Sequence, residues 1–253
     1  MLERQNQLYI GSILAKQSLP EASYLNHLPV VRWLIERKEL KLTTPVTFLV
    51  GENGSGKSTL LEAIAVNFGF NPEGGTRNFN FTTFASHSEL HSCIALAKYR
   101  FPKDGFYLRA ESFYNMATNI EEMDAEPGPR QKVIDSYGGI SLHKQSHGES
   151  FMALVENRFS RNGLYILDEP EAALSPSRLL ELMCHIHALE QKNSQFIIST
   201  HSPILMAYPN AQIFYLTQEG IRSVTYQETE HYQITRQFLN APEQMCKYLF
   251  AQN

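Results

Sequence analysis

Residues 45–65 read PVTFLVGENGSGKSTLLEAIA, and the eight from Gly51 to Ser58 have the form G-x-x-x-x-G-K-[ST]. Val46, Phe48, Leu49 and Val50 ahead of the loop form a short apolar run of buried-strand type, while Leu60, Leu61, Ile64 and Ala65 behind it recur at helical spacing. Strand, glycine-rich loop, helix is the context in which this spacing binds phosphate. Gly51, Gly54 and Gly56 let the main chain turn tightly and approach an anion, so that consecutive N–H groups and the positive end of the following helix surround it. Lys57 would reach the β- and γ-phosphates of a nucleotide, and Ser58 would hold Mg²⁺.

Two segments far along the chain bring acids and an imidazole that such a loop needs. Residues 163–171, GLYILDEPE, read as an apolar strand, Leu164 to Leu167, with Asp168 and Glu169 at its C-terminal end. In an open parallel sheet that end is where ligands bind. Asp168 would sit near the Mg²⁺ shell. Glu169, one residue on and differently directed, could polarise an attacking water, an effect of roughly 10²- to 10⁴-fold. The alternative, a pair of helix-capping acids, is disfavoured by Pro170 and by the need of Mg²⁺ for an acid. Gln195 to Ser199 make another buried strand, followed by Thr200-His201-Ser202-Pro203. His201 thus also stands at a strand's carboxyl end, there to contact a γ-phosphate or to serve the fold. Between loop and acids, Ser146-His147-Gly148-Glu149 opens a segment whose Phe151, Leu154, Val155 and Phe159 repeat at helical spacing, with Ser146 or Ser150 as cap.

Around these segments the chain reads as scaffold. Leu8 to Ile13 predicts a first strand, and Glu39 to Leu42 or Val46 to Val50 the next. Residues 28–41 mix Val30, Val31, Trp33, Leu34 and Ile35 with Arg32, Arg37, Lys38 and Lys41. This is either a basic patch with Trp33 as a stacking platform or, more simply, an amphipathic segment with solvated charges and a core tryptophan. Residues 68–83 read as an irregular loop. His87 and His91 stand four apart, a spacing open to a metal, but no metal motif surrounds them. Ala95 to Arg100 and Gly105 to Arg109, around Pro102-Lys103-Asp104-Gly105, predict a β-hairpin. Residues 111–123 predict a helix ending in the loop DAEPGPRQ. Ser175-Pro176 starts another helix, with Leu179, Leu182, Met183, Ile186 and Leu189 as its buried stripe and with His185 and His187 on different faces. Toward the C-terminus, Ile213 to Leu216 and Ile221 to Tyr226 bracket Gln218-Glu219-Gly220 as a hairpin, and two helices follow that suggest no catalytic residue.

At 253 residues with 43% hydrophobic side chains, the chain can build a substantial core without staples. Three cysteines, far apart and without a CxxC pair, fit a reduced, cytoplasmic setting. No leader-like segment opens the sequence and no run approaches a membrane span, so membrane insertion is not expected. A net charge of −4 supplies no global attraction to nucleic acid. The chemistry continues across the loop at 124–131, so the expectation is a single α/β domain over residues 1–253 with a helical lobe at roughly 110–160.

In this order, the phosphate loop, SHGES, LYILDEPE and STHSP resemble the ABC-type ATPases, above all the RecF- and SMC-like heads and small bacterial ATPases that carry a DEPEAALSP stretch. The resemblance implies a P-loop NTPase head with a mostly parallel core sheet, an antiparallel β part and a helical signature region. It implies that Gly51, Glu52, Asn53, Gly54, Ser55, Gly56, Lys57, Ser58 and Thr59 bind the phosphates of ATP. Ser58 and Asp168 would serve Mg²⁺, and Glu169, His201 and Lys57 would be the catalytic groups. In proteins that look like this, two heads sandwich two ATP molecules, so Ser146, Gly148 and Glu149 would act on the ATP held by a second copy. The signature departs from the usual form in lacking its leading leucine and in having His147 where glycine is usual; Ser175 stands where aspartate is frequent. Glu111 is the nearest candidate for the glutamine that usually follows the sheet hairpin. The stretch between Ser58 and Ser146 is too short for a coiled-coil arm and shows no sustained heptads.

The leading functional expectation is an ATPase whose ATP-bound homodimer is the working state, in a setting such as DNA maintenance or phage defence, with DNA or a partner protein as further partner. An alternative is a slow, nucleotide-gated adaptor for a protein such as a nuclease. The energising subunit of a transporter is disfavoured by the DEPEAALSP context.

Overall fold

The computed structural model describes residues 8–16, 22–76, 88–109, 113–125 and 132–251. In chain order the elements are β1 (Ile10–Ala15), α1 (Pro29–Arg37), β2 (Glu39–Lys41), β3 (Val46–Gly51), α2 (Lys57–Phe68), α3 (Leu90–Cys93), β4 (Ile94–Lys98), β5 (Asp104–Arg109), α4 (Phe113–Ala125), α5 (His147–Arg158), β6 (Gly163–Asp168), α6 (Pro176–Glu190), β7 (Gln195–Ser199), α7 (Pro203–Met206), β8 (Gln212–Thr217), β9 (Gly220–Val224), α8 (Glu230–Asn240) and α9 (Pro242–Phe250). The predicted residues His87 and Glu111, and most of the loop at 124–131, lie outside the described residues.

β3 lies inside a six-stranded sheet of order β5-β6-β7-β3-β8-β9, parallel throughout except for the β8–β9 hairpin. Strands covered on both faces read as unbroken apolar runs, which is why VTFLVG and GLYILD are buried along their whole length. Their side chains still alternate between two cores. Phe48, Val50, Tyr165, Leu167, Phe196 and Ile198 face the layer that holds α4, α5 and α6. Leu49, Leu164, Ile166 and Ile197 face α1, α2 and a second, three-stranded antiparallel sheet of order β2-β1-β4.

A buried glutamine ties the two sheets together. Gln195, fully buried on β7, accepts the N–H groups of Tyr9 and Ile10 at 2.7 and 3.0 Å on Oε1 and donates from Nε2 to the Ile10 carbonyl at 2.9 Å. On the other face, α5 is pinned to the sheet at its C-terminal end, where Arg158 pairs with Asp104 at 2.9 Å. The hydroxyls of Ser160 and Tyr165 donate to the same carboxylate. Burial by itself would raise the pKa of Asp104, but Arg158 and these hydrogen bonds hold it below the ordinary carboxylate value.

The expected hairpin between residues 95–100 and 105–109 does not form. β4 pairs antiparallel with β1, and β5 pairs parallel with β6, so the intervening turn carries the chain from one sheet to the other. Burial decides between the partners: Gly105 to Leu108 are buried on both faces and fit the covered sheet, whereas β4 is mostly half-buried. The first strand sits two residues later than expected. In α1 the charges Arg32 and Arg37 are exposed while Val30, Val31 and Leu34 are buried, in keeping with the amphipathic reading. Trp33 packs on the β8–β9 hairpin, where a Cβ added to Gly220 would fall 2.2 Å from the indole.

Candidate functional site

β3, β6 and β7 end side by side, and their C-terminal ends carry the loop, the acid pair and His201. Gly51, Gly54 and Gly56 all take positive φ, and at two of them a Cβ would also collide with a neighbour. Gly51 has φ +150°, and a Cβ there would meet the Leu216 carbonyl oxygen at 2.3 Å. Gly56, the N-cap of α2, has φ +94°, and a Cβ would meet Val30 at 2.4 Å. No side chain caps α2. Its first-turn N–H groups, which have no intrahelical acceptor, therefore point at the loop together with the positive end of the helix dipole.

Lys57 is 3% exposed and folds back over the loop, donating from Nζ to the carbonyls of Gly51 and Glu52, both at 2.9 Å. Burial pulls its pKa down, and the carboxylates of Glu169, Asp168 and Glu171 act in the opposite direction. Ser58 Oγ donates to Asp168 Oδ1 at 3.1 Å, and the Ser199 hydroxyl donates to the same oxygen. Burial raises the pKa of Asp168, while Ser199, Arg109 and Ser58 lower it. Arg109 is held at the end of β5 by Glu62 at 2.8 Å, with its Nε 3.9 Å from Asp168.

Glu169 leaves the strand with φ 48° and ψ 55°, a left-handed conformation that costs a non-glycine residue of order 1–3 kcal/mol. Its N–H donates to the carbonyl and the hydroxyl of Ser199, both at 3.1 Å, which holds that turn. The turn directs the two neighbouring carboxylates apart: Asp168 is buried, and Glu169, 38% exposed, lies with Oε1 3.4 Å from His201 Nε2. Glu171 accepts the His201 N–H and so fixes the main chain there. His201 Nδ1 lies 3.2 Å from His231 Nε2 on the first turn of α8. Burial lowers the pKa of both imidazoles, and Lys57 adds to the effect at each.

Ser146, Gly148 and Glu149 form the start of α5, where Ser146 and Glu149 are exposed and Gly148 is half-buried. Ser146 Oγ accepts the Glu149 N–H at 3.4 Å and Glu149 Oε2 accepts the Ser146 N–H at 2.9 Å, a complete capping box. Among the described residues, no hydrogen bond joins this cap to the loop, Asp168 or Glu169. The predicted site residues thus fall into two groups: the loop, Asp168, Glu169 and His201 come together, and the Ser146 turn stands apart. Beside the loop, a cleft of about 620 Å³ is lined in part by Glu52, Asn53, Ser55, Tyr215, Arg222 and Glu230.

Several contributors were not visible in the sequence. Ser199 and Glu171 lie within or beside motif segments and were open to recognition there. Arg109 and Glu62 are joined only by the sheet. His231 lies in the tail that read as scaffold, and that reading is corrected by its contact with His201. His91 is occupied locally, its Nδ1 lying 2.8 Å from the Ser88 carbonyl oxygen. His185 faces Glu156 at 3.6 Å whereas His187 faces Tyr208 and Glu190, so the two do point apart.

The residues present fit a nucleotide phosphate with a divalent cation. The glycine-lined cradle cannot take a Cβ at Gly51 or Gly56 without a shift. Ser55 Oγ and His201 Nε2 are buried polar atoms without a hydrogen-bond partner among the described residues. Ser58 and Asp168 offer the hard oxygen ligands that Mg²⁺ takes.

Two family models match the chain, both of AAA domains. One covers residues 30–110, and the other, whose description extends to a candidate AbiEii toxin and a type IV TA system, covers residues 142–207. No curated protein sequence matches. Among solved structures, CbiO1 from Clostridium perfringens, part of the ABC transporter complex CbiONQ, is similar at 14% identity, over 96% of this chain and 100% of that one, with a TM-score of 0.49. MJ1267, an ATP-binding cassette of an ABC transporter, is similar at 16% identity, over 90% and 99%, with a TM-score of 0.48. Among the described residues, no helix is long and apolar enough to cross a membrane.

Proposed function

We propose that this chain, whose two matching family models are both of AAA domains, is a P-loop NTPase of the ABC type that binds ATP through Gly51 to Thr59 and hydrolyses it within a dimer of two copies. The observation that carries the reading is the convergence of the glycine loop with the Ser58–Asp168 and Glu169–His201 pairs at the ends of β3, β6 and β7. The loop N–H groups hold the phosphates, and Lys57 exchanges the carbonyls of Gly51 and Glu52 for β- and γ-phosphate oxygens. Ser58 and Asp168 would hold Mg²⁺, which when bound neutralises charge on the phosphates. Glu169 accepts a proton from the attacking water as that water's oxygen bonds to the γ-phosphorus. The bond from phosphorus to the bridging oxygen breaks, and ADP leaves with the electron pair. His201 Nε2, already beside Glu169, donates to the γ-phosphate.

The dimer reading is supported by the exposed turn at Ser146. Its hydroxyl donates to Glu149 Oε2 at 2.6 Å and serves no group of its own phosphate site, so at this helix N-terminus it can turn to clamp an anion brought by another molecule. Placed against a second copy, it completes that copy's γ-phosphate pocket, while Glu149 acts by holding the capping turn closed. DNA maintenance or phage defence, with DNA or a partner protein bound, are the settings in which such a gated dimer would work.

The test is the solution mass of the Glu169→Gln variant with and without ATP. The variant is expected to be monomeric alone, dimeric with ATP and at least about a hundredfold slower in turnover. A variant that stays monomeric and hydrolyses at the wild-type rate overturns both the base and the sandwich. The nucleic-acid partner is tested by the ATPase rate with and without DNA at low and moderate salt, since phosphate contacts weaken as salt rises.

A further inference from the structure

We infer that His231 is a positioning residue for His201, fixing the ring orientation and tautomer of the histidine that faces the γ-phosphate site from a helix outside the motif segments. The inference rests on the ATPase reading above for its catalytic consequence but not for its geometry. His201 Nδ1 and His231 Nε2 are 3.2 Å apart, a hydrogen-bond distance at which one nitrogen must donate and the other accept. The other face of His201 biases the choice. Its Nε2 makes no hydrogen bond among the described residues, and the Glu169 carboxylate, with Oε1 3.4 Å away, favours the proton of a neutral His201 on Nε2 without fixing it there. Nδ1 is then the acceptor, and His231 donates to it from Nε2. This is the tautomer in which His201 presents an N–H to Glu169 and to any anion placed beside it.

His231 is itself held firmly. It lies in the first turn of α8, behind Thr229, a fully buried N-cap that accepts the Tyr232 N–H and donates to the Tyr226 carbonyl. Tyr215 donates to the neighbouring Glu230 at 3.2 Å, and its ring lies edge-on to the His231 imidazole. Glu171 fixes the His201 backbone from the opposite side. Toward its C-terminal end α8 is exposed, with residues 236–240 open to solvent and Leu239 71% exposed. Its anchored end is therefore the part that bears on the site, and losing the His231 donor would free the His201 ring to exchange tautomers.

The test pairs a ligand-free readout with a kinetic one, on the full chain. Long-range ¹H–¹⁵N correlation of the imidazoles, with His201 assigned through His201→Gln, is expected to show the Nε2–H tautomer in the wild type and in His231→Gln, whose side-chain amide can donate from about the same place. His231→Ala is expected to show a mixture. ATP turnover in His231→Ala should fall about tenfold in kcat with KM for ATP unchanged, and His231→Gln should recover most of it. A His201 tautomer identical in His231→Ala and wild type overturns the inference, as does unchanged kcat in a variant whose tautomer is mixed. If the wild type does not hydrolyse ATP, the ATPase reading fails while the correlation spectra still decide the role of His231. Should His231→Ala prove unfolded, the recovery expected of His231→Gln is replaced by a comparison of His231→Gln with His231→Phe, which fills the space but cannot donate; equal spectra and equal kcat in these two overturn the inference.

Discussion

Lys57 shows how one side chain stabilises an otherwise costly loop. Its ammonium is buried, and the carbonyls of Gly51 and Glu52 and the nearby carboxylates offset the loss of water. A cation so placed is poised to exchange carbonyl oxygens for phosphate oxygens. Saturation with Mg²⁺ and ATP at a hundred times Kd is expected to stabilise the wild type by about 2.7 kcal/mol, visible as a rise in Tm. In Lys57→Met that rise should vanish, and an equal rise would remove Lys57 from the binding site. Asp104 acts at the same scale but through the fold. Its folded pKa lies below the unfolded value, so its contribution is fully present above about pH 4 and is lost as pH falls through the folded value. Asp104→Asn should therefore be less stable than the wild type in urea at pH 7, with the difference narrowing at pH 3. A difference that holds constant across that range would show that the carboxylate's charge does not matter.

Among the elements, β7 has two duties, and the residue at each end shows why its sequence reads as it does. At its C-terminal end Ser199 donates to the Asp168 carboxylate and accepts the main-chain N–H of Glu169. At its N-terminal end Gln195 closes the antiparallel sheet against the parallel one with three hydrogen bonds. Replacing Gln195 by leucine keeps the volume but strands two buried N–H donors, at about 1–3 kcal/mol each. The midpoint of urea unfolding should drop accordingly, by at least about 2 kcal/mol in stability, and an unmoved midpoint would mean that water replaces the glutamine. The failed hairpin between β4 and β5 belongs here too. A turn signal predicts reversal of the chain, but strand pairing follows the number of faces that each strand buries.

For the whole molecule, the dimer proposed above requires that the Ser146 turn of one copy complete the site of the other. Mixing subunits tests this directly. In the proposed dimer, Lys57→Ala would disable a chain's own loop, and Ser146→Arg would disable the clamp it lends to its partner. Each variant alone should be inactive. An equal mixture should recover roughly one quarter of wild-type turnover, because half of the dimers are mixed and each has one of two sites intact. A mixture as inactive as its components would place the Ser146 turn outside the γ-phosphate pocket.

The phosphate loop, the acid strand, the His201 segment and the capped helix at Ser146 are written in the residues that form them. Each is a local pattern of glycine, charge and apolar period whose meaning is complete within about ten residues. The core strands were legible for the same reason. The folded chain alone separates β4 and β5 into different sheets and brings Arg109, held by Glu62, beside Asp168. It also gives His201 a hydrogen bond to a histidine thirty residues further on. These contacts join residues far apart in the chain through the register of a parallel sheet and the docking of a terminal helix, and neither leaves a periodic trace in the residues that make them.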